Sequence, residues 1–395
     1  MHNSSTTTFG SIARPLGPLA LIVLGLALPA SAQTATSSGS SPARAAASDA
    51  TAVRLVWKRE NIEFGEWPDE LDREVVDVLN AWLPFARANG YRMDLNETGR
   101  VLMLSSAERN RSTRTWEGRI NEALELTDEL IPWVPPSATP NGVDPRQRLE
   151  DRQSVENLQV LVRLENEADR DALVDDLLRR APGLQAWAND ARNQSALLLR
   201  KPACAAWIES GKASVLSSEG ECANRLTHLL LNERFGELPA FLEEGLAWYV
   251  EQELTGKLSS APYLAESPRS LPRRGFEHDL RALFRGREDT PISVEDLLGM
   301  QHASWDAELA ALAWGTSQHI CALRPEAVSF LCADLSLGRQ SLNWVEPGNG
   351  SWEGSGEKQW DAAELEKAIA RHAGPTARSE WSAYFATGRI SPRAR

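Results

Sequence analysis

The chain has 395 residues, of which 55 are acidic and 42 are lysine or arginine, giving a formal net charge of −13. An acidic balance of this size disfavours a nucleic-acid partner, because binding phosphates needs a cationic face. The length is ample for one large domain or two lobes, and no stretch after residue 32 is apolar for long enough to read as a membrane-spanning helix.

Residues 1–32 read as an export signal. Arg14 precedes the apolar run 19–28, and Ala30-Ser31-Ala32 offers the small residues of a cleavage site. The run is too short to favour a membrane anchor. Cleavage there would make Gln33 the first residue and send the protein to the periplasm or the cell exterior. Residues 33–52 are mostly Ser, Ala and Thr with almost nothing to bury, which predicts a flexible linker.

Residues 53–217 predict an α/β lobe. Residues 53–57 alternate weakly like a strand, and 72–88 have helical spacing with Val75, Val78, Leu79 and Trp82 on one face. Residues 101–104 form a short apolar run typical of a buried strand, and 117–131 an amphipathic helix through Ile120, Leu124 and Leu130 that Pro132 ends. A loop is expected at 135–148, a strand at 158–164 and a helix at 167–180. Further strands are expected at 197–199 and 213–216.

Residues 218–390 predict a mainly helical lobe. Ser218 with Glu221 three residues on makes a capping-box pattern ahead of Leu226, Leu229, Leu230 and Phe235. Gly236 and Pro239 then interrupt the pattern before a second helix at 240–252. A Pro- and Ser-rich loop at 259–274 leads to helices at 276–284, 293–300 and 306–323. Pro325 sits at a tolerated first-turn position of the next one, and helices at 361–371 and 378–385 finish the lobe.

The helix pair resembles the active-site pair of the gluzincin metallopeptidases, exported proteins of the peptidase-MA-like type, in which HExxH is followed by a short loop and a helix of the form LPxWLxEGLAxY. Leu238-Pro239-Ala240-Phe241-Leu242-Glu243-Glu244-Gly245-Leu246-Ala247-Trp248-Tyr249 follows the second half almost position by position. Glu244 falls where the third zinc ligand belongs and His228 where the second histidine belongs. The first histidine position holds Asn224 and the catalytic glutamate position holds Arg225. The resemblance implies an α+β, zincin-like fold with a small mixed sheet ahead of the helix pair, and a cleft that takes a peptide or protein ligand.

A catalytic zinc needs three protein ligands and an open position for water. Asn224 offers only a weak amide oxygen in place of an imidazole, and Arg225 is a permanent cation that cannot take a proton from water. The expectation is therefore a pseudopeptidase with a vestigial metal set of Asn224, His228 and Glu244, no cofactor, and Arg225 bridged to Glu244. The alternative is a working zinc peptidase with those three side chains as an altered ligand set.

The remaining features carry bland readings. Four cysteines, Cys204, Cys222, Cys321 and Cys332, would pair in an exported chain as 204 with 222 and 321 with 332, or remain four buried thiols. His278, His302, His319 and His372 have no ligand spacing and read as surface or satisfied histidines. The 14 tryptophans are scattered and fit core packing. Glu243 and Glu244 are adjacent on a helix, so at most one is expected to face the cleft.

Overall fold

The structure, a computed structural model, describes residues 55–58, 60–106, 113–131, 158–200, 202–209, 218–236, 238–258, 260, 276–287, 290–298, 307–335 and 360–387. The expected signal segment and linker, the 135–148 loop, the 213–216 strand, most of the 259–274 loop and His302 lie outside them. No helix among the described residues is long and apolar enough to cross a membrane.

The protein is a mixed α/β structure. Its sheet has seven strands, β1 (Leu55–Trp57), β2 (Glu60–Ile62), β3 (Tyr91–Leu95), β4 (Val101–Ser106), β5 (Gln159–Leu164), β6 (Ala196–Leu199) and β7 (Cys204–Ile208), in the order β2-β1-β3-β4-β5-β7-β6. Parallel pairing joins β1 to β3, β4 to β5 and β5 to β7, with Leu102 opposite Val160 and Val162 opposite Ala206. The other pairs are antiparallel.

Period-2 alternation divides the central strands between two apolar layers. Leu102, Leu104, Val160 and Val162 pack under α1 (Arg73–Asn89), α3 (Glu167–Arg180) and α4 (Gln185–Ala191). Val101, Met103, Leu161 and Trp207 pack under α2 (Thr113–Leu130) and α5 (Ser218–Phe235). Because both faces are covered, the strands read in sequence as continuous apolar runs. Asp72 caps α1 by accepting from the Glu74 N–H at 3.2 Å, and Gly90 ends it in the left-handed region at φ 68°.

A second core lies beyond α5. It gathers Leu231 and Phe235 of α5 with α6 (Ala240–Thr255), α7 (Phe276–Phe284), α8 (Val294–Leu298), α9 (Ala307–Leu323), α10 (Pro325–Leu335), α11 (Ala362–His372) and α12 (Ala377–Thr387). Trp248, Trp314 and Trp381 are fully buried within it. Helix α5 thus serves both cores, with Leu226 and Leu229 on the sheet and Leu231 and Phe235 on the helices. At Gly245 a β-carbon would stand 2.2 Å from the Ala313 carbonyl oxygen and 2.4 Å from Ser317 Oγ, so only glycine lets α6 lie this close to α9.

Strands β2, β3 and β7 and helix α4 were not anticipated. The signal for β3 was present, since Tyr91, Met93 and Leu95 are buried while Arg92 and Asp94 alternate with them. The Cys204 to Cys222 pairing does not occur: Cys204 packs in the layer under α1 and α3, and Cys222 in the layer on the opposite face of the sheet. All four cysteines are buried thiols. Burial pushes the Cys204 and Cys222 thiols up to about 12, so neither offers a thiolate at neutral pH.

Candidate functional site

Helices α5 and α6 are buried on nearly every side, yet they carry the densest group of charges in the interior. Gly236 ends α5 in the left-handed region at φ 75°, and Pro239 starts α6 after a short turn. The pair therefore returns on itself, with His228 beside Glu244 and Glu221 within electrostatic reach of Glu251. Glu221, Asn224, Arg225, His228, Glu243, Glu244 and Glu251 are each at most 1% exposed.

His228 is the centre of this group. Its Nδ1 lies 3.2 Å from Glu243 Oε1 and its Nε2 lies 3.3 Å from Glu244 Oε2. Both adjacent glutamates therefore reach one ring, contrary to the expectation that only one could face inward. The imidazole presents its two nitrogens on different edges, so two side chains leaving α6 in different directions can each meet one. Burial alone would lower the His228 pKa, but Glu244 and Glu243 outweigh it and raise the net value. Glu243 is held from its other side by Arg200, just after β6, whose Nη2 lies 2.9 Å and 3.2 Å from the two carboxylate oxygens.

Arg225 has a partner on its own helix. Its Nε donates to Glu221 Oε2 at 3.0 Å, one turn back on the same helix, while Glu244 is met by His228. The i,i+4 geometry brings Glu221 to it without any help from the second helix. Burial pushes the Glu221 carboxyl up to about 7, Arg225 pulls against that, and the Glu251 and Glu244 charges add to the rise.

Asn224 lies one turn before His228 and is fully buried. Neither end of its carboxamide has a hydrogen-bond partner among the described residues. Further along α6, Glu251 accepts from the Ser260 backbone N–H at 3.0 Å and from its hydroxyl, and the Trp248 indole donates to the Ser260 carbonyl at 3.1 Å.

No family model matches the chain, and no curated protein does.

Two of the three ligand positions implied by the resemblance, His228 and Glu244, come together. The third carries an amide, and the general-base position carries a buried guanidinium paired with Glu221. This donor set does not fit a catalytic zinc centre, which needs a third strong ligand and a base for the metal-bound water. The other histidines among the described residues lie elsewhere. His278 is exposed beside Asp279, His372 meets Asp334 at 2.7 Å, and burial lowers His319 to about 4.

Sequence reading missed Glu243, Glu221, Glu251 and Arg200 as members of the group. Glu221 was recoverable from its i,i+4 spacing to Arg225. Arg200 was not, because only the folded sheet brings the end of β6 to α6.

Proposed function

We propose that this protein is an exported, non-catalytic relative of the gluzincin metallopeptidases that keeps a zincin-like fold and uses its cleft to hold a peptide or protein rather than to cut one. The observation that carries this reading is Arg225. It stands where a general base would be, is 1% exposed and is paired at 3.0 Å with Glu221. A buried guanidinium repels a dication and cannot accept a proton from water, so the chemistry that activates a metal-bound nucleophile is missing. The match of residues 238–249 to the family's second helix supports the fold assignment, and the mixed sheet ahead of α5 is compatible with it.

One contact favours a second reading, a zinc peptidase with Asn224, His228 and Glu244 on the metal. His228 Nε2 and Glu244 Oε2 are 3.3 Å apart, close to the separation of two ligands that each sit about 2.1 Å from one tetrahedral ion. Elemental analysis of the purified protein separates the two readings. The expected result is no stoichiometric zinc and no hydrolysis of a broad peptide library. One tightly held zinc per chain, lost in His228→Ala, would overturn the pseudopeptidase reading. The double change Asn224→His with Arg225→Glu restores HExxH and is expected to gain zinc affinity.

A further inference from the structure

Asn224 poses a problem that the pseudopeptidase reading does not solve. A buried amide without partners is costly, and such groups are ordinarily satisfied by protein or by ordered water. Asn224 is fully buried, and both Oδ1 and Nδ2 have no hydrogen-bond partner among the described residues. Glu221, one turn earlier on the same helix face, is also fully buried and has a second such atom, Oε1, while its Oε2 is taken by Arg225. Two neighbouring side chains thus offer a donor and two acceptors inside the protein.

We propose that Asn224 and Glu221 hold an ordered water molecule against α5, which accepts from Asn224 Nδ2 or donates to Asn224 Oδ1 and donates to Glu221 Oε1. A buried water typically makes about three hydrogen bonds to groups that lack other partners, and this pair supplies two of them. The proposal rests on the pseudopeptidase reading, since a bound metal would occupy the same neighbourhood.

A high-resolution crystal structure of the protein, with elemental analysis of the same sample, tests it. The expected result is a solvent peak within hydrogen-bond distance of both the Asn224 carboxamide and Glu221 Oε1, in metal-free protein. Water magnetic relaxation dispersion should count at least one long-lived water fewer in Asn224→Leu than in the parent. A carboxamide packed against protein with no solvent beside it, or an unchanged count in a folded Asn224→Leu, overturns the water site and leaves the pseudopeptidase reading standing. A peak shown by elemental analysis to be zinc overturns both. If Asn224→Leu does not fold, the density in the parent protein decides alone.

Discussion

The central strands and the facing sides of the α5–α6 pair are both buried, and they are buried by opposite means. Under the sheet, Leu102, Leu161 and Val162 meet only apolar neighbours, so each contributes according to its own area and the space it would leave. Between α5 and α6 the buried groups include four carboxylates, Arg225 and His228, and Arg200 reaches Glu243 from the end of β6, so these charges are tolerable largely because others are present. The sheet is a sum of parts, whereas the helix pair is a set of mutual dependencies. An interior of the second kind is a poor way to gain stability.

The largest effect that would expose this difference is at Arg225. Arg225→Ala leaves Glu221 buried without its cation and is expected to cost about 3 to 5 kcal/mol in denaturant unfolding. Replacing both partners, Arg225→Met with Glu221→Leu, should bring the protein back to within about 1 kcal/mol of the parent. In the apolar layers on the two faces of the sheet, Leu161→Ala and Leu79→Ala lie on opposite sides and their costs, about 2 to 5 kcal/mol each, should simply add. If the paired replacement in the helices were also additive, the two interiors would not differ in kind.

The next effect is a pH dependence. The folded Glu221 carboxyl is raised by burial from 4.5 to about 7. An acid raised on folding contributes stability that is complete below its unfolded value and is lost as pH rises through its folded value. His228, raised on balance by Glu244, has the same sign, and its contribution fades as pH climbs above 6.5. His319, lowered by burial to about 4, acts in the opposite direction between 4 and 6.5, so the bulk melting curve mixes the signs. Comparison with Glu221→Gln cancels the groups that are shared. The variant should gain on the parent by on the order of 3 kcal/mol as pH rises from 4.5 to beyond 7. A parent-to-variant difference that stays flat over this range would mean that Glu221 is ionised throughout.

How much of this was legible in the sequence follows the same division. The helices at 73–89, 167–180, 276–284 and 307–323 and the strand at 159–164 were visible because one face or one run carries the burial signal. The sheet order was not, since it depends on pairing between distant segments such as β1 with β3 and β5 with β7. In the site, Asn224, Arg225, His228 and Glu244 were named from the resemblance of the helix pair to the gluzincin motif. Glu221 was overlooked as a partner of Arg225 because the reading looked across to the second helix and not one turn back. Glu243 was set aside by a rule about helix faces that ignores the width of an imidazole.

The smallest effect concerns the tie between sheet and helices at Arg200. Its side chain is 18% exposed, and Glu243, which it holds, is 1% exposed. Removing Arg200 does not strand Glu243, because His228 Nδ1 remains 3.2 Å from Oε1 and water can approach from the side Arg200 leaves. Arg200→Ala is therefore expected to cost only about 1 to 2 kcal/mol, between a surface pair and a buried one. In a His228→Gln background the same change should cost more, because Glu243 then loses its charged partner on both sides. A double-mutant cycle should show a coupling of about 0.5 to 3 kcal/mol, as for residues within one network. No coupling would mean that Arg200 and His228 hold Glu243 independently, and the chain of contacts from the end of β6 to the centre of the site would then be two separate pairs.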